Sequence, residues 1–197
     1  KDGEYAVDGT AALTAPTDMA ANKGYAGGVW DVTPPAFVSG TDTEEFTFSF
    51  EKRTDLTLTV KHVVSGIGTV LGTESKENLT FGDVITAESL KKEFEGYTYL
   101  SASAEKVTID EENNEITLYY SRNSYDYTVY YVDEITGDEL AASKVSVGRF
   151  GDTVTEKAIW ISGYMPVGET EKSIVIEAEN NIIIFYYTAD NFGAGGG

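Results

Sequence analysis

The hexapeptide Phe81-Gly82-Asp83-Val84-Ile85-Thr86 recurs as Phe150-Gly151-Asp152-Thr153-Val154-Thr155, and two further landmarks recur with it. Gly96-Tyr97 returns as Gly163-Tyr164, and Asn113-Asn114 ahead of Tyr119-Tyr120 returns as Asn180-Asn181 ahead of Tyr186-Tyr187. The offset is 69 residues at the hexapeptide and 67 from Gly-Tyr onward, so two residues are missing from a connection, where a chain tolerates deletion. A fixed period of this length is one supersecondary unit copied in tandem, which adds length or valency rather than enclosing a single pocket.

Each copy reads as strands. Leu58 and Val60 in one copy, and Tyr127, Val129 and Tyr131 in the other, alternate apolar with polar or variable positions on an opening strand. Val107-Thr108-Ile109 matches Ile174-Val175-Ile176, and Ile116, Leu118 and Tyr120 match Ile183, Phe185 and Tyr187 on a closing strand. The acidic stretches ending at Asn114 and Asn181 predict hairpin turns, because Asn tolerates the left-handed backbone such turns need. Thr86–Phe94 is the best helix candidate, with Thr86 or Ser89 as cap and Leu90 and Phe94 facing the core at i, i+4.

A third, incomplete copy precedes these two. Phe46, Phe48 and Phe50 align with Ile116, Leu118 and Tyr120 at an offset of 70, Phe37 aligns with Val107, and Gly24-Tyr25 falls two positions from register with Gly96-Tyr97. The chain is therefore expected to comprise a partial or variant repeat over 1–54, complete modules over 55–123 and 124–189, and a glycine-rich tail or linker over 190–197. The start at Lys1, without methionine, is expected of a fragment.

Modules of this size have marginal cores, and 13 Tyr, 9 Phe and 2 Trp supply large rings to fill them. The absence of Cys and Gln excludes disulfides, thiolate metal sites, thiol nucleophiles and Cys-Gln thioester crosslinks. A net charge of −19, spread over all three segments, offers no basic footprint for nucleic acid or an anionic membrane and suits solubility and mutual repulsion along an extended rod. No apolar run approaches the length of a spanning helix.

The stretch Tyr127–Leu140, which reads YTVYYVDEITGDEL, followed by Phe150-Gly151-Asp152, Ile161–Tyr164 and Ile182–Tyr187, resembles the mucin-binding (MucBP) repeat of Gram-positive surface adhesins. The middle module is similar but diverged: Lys61-His62 stands where the family prefers aromatics, and Val64–Val70 replaces the Asp-Gly turn. The N-terminal copy, with Gly24-Tyr25, Trp30-Asp31, Pro34 and the Phe46-Phe48-Phe50 strand, resembles the end of an internalin-type B-repeat (Listeria-Bacteroides repeat). The resemblance implies tandem β-grasp, ubiquitin-like modules in an elongated array, mainly β with an α+β element. It also implies an extracellular protein anchored to the cell wall, a monomeric part of a longer multidomain chain, with host mucin or other glycoprotein glycans as partners.

Catalysis finds little support. His62 is the lone histidine and takes the place of Tyr131, which suits a packed residue better than a base. No carboxylate pair repeats amid aromatic subsites, as glycoside hydrolysis would require. Asp133, Glu134, Asp138 and Glu139, like Asp110-Glu111-Glu112, do not follow the spacing of a calcium loop. A Lys–Asn isopeptide bond needs a buried Lys beside Asn and an acid, whereas Lys61 falls on the face opposite Val60. The chain is accordingly read as a non-enzyme without metal or cofactor. For ligand binding the candidates are the aromatics that break the core pattern, Trp160, Tyr130, Tyr99 and Trp30, each also able to fill a core under a loop. Two functions follow: weak multivalent adhesion to mucin glycans, or a stalk that projects a distal domain without a ligand of its own.

Overall fold

The computed structural model describes residues 19–31 and 46–190. The readings placed on Pro34, Phe37 and the glycine-rich tail from Asn191 onward lie outside the described residues. What is described is almost entirely β-structure, in two β-sheet modules in tandem preceded by a hairpin.

The first module comprises β3 (Leu56–Val64), β4 (Val70–Leu79), β5 (Val84–Thr86), β6 (Tyr97–Ala102), β7 (Lys106–Thr108) and β8 (Glu115–Arg122). The second repeats it as β9 (Ser124–Asp133), β10 (Glu139–Arg149), β11 (Thr153–Lys157), β12 (Tyr164–Val167), β13 (Glu171–Val175) and β14 (Ile182–Ala189). Their four-stranded sheets run β4-β3-β8-β6 and β10-β9-β14-β12, and each module adds a two-stranded sheet, β5-β7 or β11-β13. In the second module β14 lies parallel to β9, while β10 and β12 flank the pair antiparallel, an order compatible with a β-grasp arrangement.

The sequence offsets reappear as pairing register. Val84 stands opposite Thr108 and Thr153 opposite Val175, which reproduces the 69 and 67 residue shifts on the two strands. The incomplete copy obeys the same rule. Its β1 (Tyr25–Trp30) and β2 (Phe48–Lys52) pair antiparallel with Tyr25 opposite Lys52, as β12 and β14 pair with Tyr164 opposite Ala189.

Turn chemistry follows the repeat too. Asn113 and Asn180 adopt φ of 62° and 61°, the left-handed conformation read from their type. The next residue of each pair does more. Asn114 accepts from the Asp110 amide (2.8 Å) and donates to the Asp110 carbonyl (2.7 Å); Asn181 does the same with Glu177 at 2.8 and 2.9 Å. In the β3–β4 turn, Val64 N–H reaches the Thr69 carbonyl and Gly68 N–H the Val64 carbonyl. Asp133, Asp138 and Gly137 repeat those bonds, so the diverged Val64–Val70 segment keeps the backbone turn of the second module.

The expected helix over Thr86–Phe94 is shorter than predicted. Only Ala87–Leu90 coils, as a 3₁₀ turn, and no side chain caps it; Ser89 Oγ donates to the Thr86 carbonyl instead. Lys91 at once returns to extended backbone (φ −61°, ψ 142°). The nine residues were too few to sustain an α-helix without strong caps, since isolated short helices are marginal. Leu90 and Phe94 still turn inward, Leu90 being buried and Phe94 meeting the Tyr120 ring edge-on at 5.1 Å.

The chain divides into two compact units. The first runs up to His62 and adds Gly72–Lys91 and Ala102–Leu118; it buries Leu56, Leu58, Val60, Ala87, Leu90, Ile109, Ile116 and Leu118. The second takes Val63–Leu71, Lys92–Ser101 and everything described from Tyr119 onward. Its core gathers Tyr127, Val129, Tyr131, Ile176, Ile183, Phe185 and Tyr187, with Val154, Ala158, Ile161 and Ile174 packed against them. Each such side chain contributes about 1.5–3 kcal/mol by leaving water.

Candidate ligand-binding face

The second module's closing strand reads Ile182-Ile183-Ile184-Phe185-Tyr186-Tyr187, apolar at every position. Only alternate residues can enter one core. Ile183, Phe185 and Tyr187 do so, at 3% exposure or less, and Ile182, Ile184 and Tyr186 are left on the opposite face. On β9 the same split puts Tyr127, Val129 and Tyr131 inside and Thr128, Tyr130 and Val132 outside.

Register assembles the outer set into rows. Ile182 lies beside Thr128 and Ile184 beside Tyr130; Tyr186 lies beside Val132 on one side and Val167 on the other. Val145, opposite Thr128, extends the first row, and Met165 sits one register step from Val167 on the same face. Ile182 is 47% exposed, Tyr186 43%, Met165 46% and Val145 63%. The result is one sheet face lined by apolar and aromatic side chains, four of them more than two-fifths exposed. Exposed apolar surface of that kind marks an interaction site more often than a monomer's ordinary surface.

Charged groups hold the opposite face together. Glu156 on β11 accepts from the Tyr127 hydroxyl at 2.7 Å and from Lys144 Nζ at 2.7 and 2.9 Å. The Lys144 ammonium and then the Tyr127 hydrogen bond hold its carboxyl below the usual Glu range, and burial pushes the Tyr131 and Tyr187 phenols up. Tyr187 donates to the Ile159 carbonyl at 2.9 Å, so its hydroxyl anchors the loop after β11. Lys172 donates to the Ile184 carbonyl at 2.7 Å with Nζ 5.7 Å from the Phe185 and Tyr186 ring centres, a cation held over aromatic surface.

The remaining titratable candidates have structural occupations. His62 is buried, with Nε2 3.6 Å from Glu74 Oε1, in the core position that Tyr131 takes in the second module. Asp133 Oδ1 accepts from the Ile135 and Thr136 amides and so shapes its own turn. Lys61 pairs with Glu115 at 2.7 Å on the outer face of its sheet. Among the described residues no three His, Asp or Glu side chains gather as metal ligands would.

The four predicted aromatics land in different places. Tyr130 lies in the middle of the apolar face, beside Ile184. Trp160, in the loop between β11 and β12, is 84% exposed, an extreme value for so large a ring. Tyr99 meets Tyr120 edge-on at 5.9 Å and belongs to the packed side of its sheet. Trp30 ends β1 and abuts Phe48 at 5.0 Å, which abuts Phe50 in turn at 5.2 Å. Sequence reasoning missed Ile182, Ile184 and Tyr186, whose signal was the failure of alternation in the closing strand where the other copy alternates as Glu115-Ile116-Thr117-Leu118.

Comparison with known proteins agrees with the repeat. The MucBP domain profile matches twice, over residues 57–121 and 127–188. Among solved structures, the type 2 repeat of the mucus binding protein MUB from Lactobacillus reuteri is 17% identical, with 68% of this chain aligned to all of that one at a TM-score of 0.29. The crystal structure of Mub-RV is 16% identical over 68% of this chain and 99% of its own, at 0.28. Domains 3-4 of the Streptococcal High Identity Repeats in Tandem (SHIRT) from a cell surface protein are 14% identical over 66% and 96%, at 0.25. No curated protein sequence matches the chain.

Proposed function

The chain belongs to the MucBP-domain family, carrying two copies of that domain in tandem, and from this membership we propose that it is part of a mucus-binding adhesin on a bacterial surface. Its ligand is the glycan-bearing part of a mucin-type glycoprotein, bound weakly by each module and strengthened by repetition along a wall-anchored chain. The module boundaries are those read from the repeat, 55–123 and 124–189. The observation that carries the reading is the partly exposed outer face of the second module's sheet, where Tyr130, Ile182, Ile184 and Tyr186 offer flat and apolar surface to a sugar-bearing partner. Trp160 supplies a second exposed ring, while the packed positions of Tyr99 and Trp30 leave them supporting roles.

The middle module favours the spacer function. At the positions of Tyr130, Ile182 and Ile184 it has Lys61, Glu115 and Thr117, and the Lys61–Glu115 ion pair occupies the face that is apolar in its neighbour. One module is thus the binder and the other the spacer.

The test is a transplant read against immobilised mucin before and after enzymatic removal of glycans. Tyr130→Lys, Ile182→Glu and Ile184→Thr together give the second module the spacer's outer face, and glycan-dependent binding is expected to fall by at least about tenfold with the fold retained, since hot-spot aromatic and aliphatic contacts carry 1–2 kcal/mol or more. The reverse set, Lys61→Tyr, Glu115→Ile and Thr117→Ile, is expected to raise binding. Binding left unchanged by both sets would remove the sheet face from the account.

A further inference from the structure

Three Gly-Tyr corners recur in this chain, at Gly24-Tyr25, Gly96-Tyr97 and Gly163-Tyr164, and each is closed by the same backbone bond. Arg53 N–H reaches the Gly24 carbonyl at 2.9 Å, Asn123 N–H the Gly96 carbonyl at 2.9 Å, and Asp190 N–H the Gly163 carbonyl at 2.8 Å. Each donor is the residue that leaves the closing strand of its repeat. The three glycines also share a left-handed backbone, with φ of 81°, 78° and 78°.

The first two corners are roofed by the hexapeptide of the repeat that comes next in the chain. Phe81 lies over Gly24 so closely that a Cβ there would collide with its ring, and Phe150 lies over Gly96 in the same way. The roofing rings also meet the corner tyrosines: Tyr25 and Phe81 are centred 6.4 Å apart, Tyr97 and Phe150 5.5 Å apart and nearly perpendicular. The backbone between the repeats fixes the arrangement, because Phe81 N–H donates to the Arg53 carbonyl and Phe150 N–H to the Asn123 carbonyl, each at 2.9 Å. Gly24 and Gly96 are buried as a result.

The third corner is built alike and, among the described residues, has no ring over it. Gly163 is exposed, and a Cβ on it would meet none of the described residues within 4 Å. We propose that the Gly163-Tyr164-Asp190 corner is a docking surface for the Phe-Gly-Asp turn of a further repeat of this kind, carried later in the same chain beyond the glycine-rich segment. The occupant follows from the two filled corners, where it is the phenylalanine 28 and 27 residues past the donor of the closing bond, in the repeat that donor leads into. One element differs: Arg122, which pairs with Asp152 and the Phe150 carbonyl at the second corner, corresponds to Ala189 at the third. The ring contact therefore carries the third junction without an ion pair.

The test extends the chain. Residues 1–190 are followed directly by a second copy of 124–197, and the Asp190 amide exchange rate and thermal midpoint are compared with those of the original chain. Docking is expected to slow Asp190 exchange roughly two- to tenfold, the scale of an aromatic ring contact, and Phe150→Ala in the added copy is expected to abolish the slowing. Gly163→Ala supplies the second reading. Its left-handed strain is common to both chains and cancels, so a larger fall in thermal midpoint in the extended chain reports the collision with the added ring. Equal exchange rates and equal Gly163→Ala penalties in the two chains would overturn the proposal. So would self-association of the original chain, measured by sedimentation, that Gly163→Ala abolishes, because the occupant would then come from a second molecule.

Discussion

On β8 the residues facing away from the core are Glu115, Thr117 and Tyr119, whereas on β14 they are Ile182, Ile184 and Tyr186; the inward residues are Ile116, Leu118 and Tyr120 against Ile183, Phe185 and Tyr187. The two modules thus keep one face and exchange the other. A strand's two faces are independent in sequence because the side-chain period is two. Selection for folding acts on one set of alternate positions, which leaves the other set free to be an ion-paired surface in one copy and an apolar one in the next. Three substitutions, at the positions of Lys61, Glu115 and Thr117, account for most of that difference.

If stability resides on the inner face, the sharpest way to break the comparison is to change neighbours on one strand. Phe185 is 1% exposed and stacks on Tyr131 with ring centres 6.2 Å apart and 10° between planes, so Phe185→Ala is expected to cost about 3–5 kcal/mol. Tyr186→Ala, one residue along and on the open face, is expected to cost under about 1 kcal/mol, within the range of surface substitutions. Urea unfolding of both variants decides it. Comparable losses would mean that the outer face is packed in solution and cannot be a free binding surface.

A smaller contrast separates the two asparagine clasps. Asn181 is 7% exposed and its side chain donates to the Asp126 carbonyl at 3.3 Å as well as binding Glu177, whereas the Asn114 side chain bonds Asp110 alone among the described residues. Asn181→Ala strands more buried backbone groups, so it is expected to cost about 2–3 kcal/mol against about 1–2 for Asn114→Ala, each orphaned group contributing 1–3 kcal/mol at most. Equal losses in thermal or urea unfolding would show that the Asp126 contact adds nothing.

These clasps also mark how far the sequence could be read. The offsets, the hairpins and the left-handed Asn113 and Asn180 were legible because each depends on residue type and local spacing. The role of Asn114 and Asn181 was not, since a side chain that bonds both backbone groups of the residue four before it looks in sequence like a second turn residue. Thr86–Phe94 misled because its i, i+4 apolar pair satisfies a helix and an extended segment with two inward anchors equally well. The apolar face was visible as a lapse in alternation along Ile182–Tyr187, but a six-residue apolar run also fits a strand buried on both sides. The phenylalanine roofs over Gly24 and Gly96 join parts of the chain more than fifty residues apart, and no local pattern announces such a contact.

The smallest expected difference is in acid response. Lys144, Glu156 and Tyr127 form a charged seam in the second module where the first has Ser75, Ala87 and Leu58 at the repeat positions. Glu156 has a folded pKa lowered by the Lys144 ammonium and the Tyr127 hydroxyl, so its ionised form favours the folded state. That contribution is complete above the ordinary Glu pKa of 4.5 and is lost as pH falls through the lower folded value. Glu156→Gln cannot ionise and lacks the pH-dependent part. The wild-type chain is therefore expected to be more stable than Glu156→Gln at neutral pH and to converge on it as the pH drops below about 4.5, the unperturbed Glu range. Depressed carboxyls elsewhere, Asp55 beside Arg53 and Asp110 beside Lys23, are exposed and present in both chains, so they cancel from the difference. Thermal midpoints measured across that pH range would refute the seam if the gap between wild type and Glu156→Gln stayed constant, since a constant gap would mean that the glutamate contributes packing and hydrogen bonds but no charge.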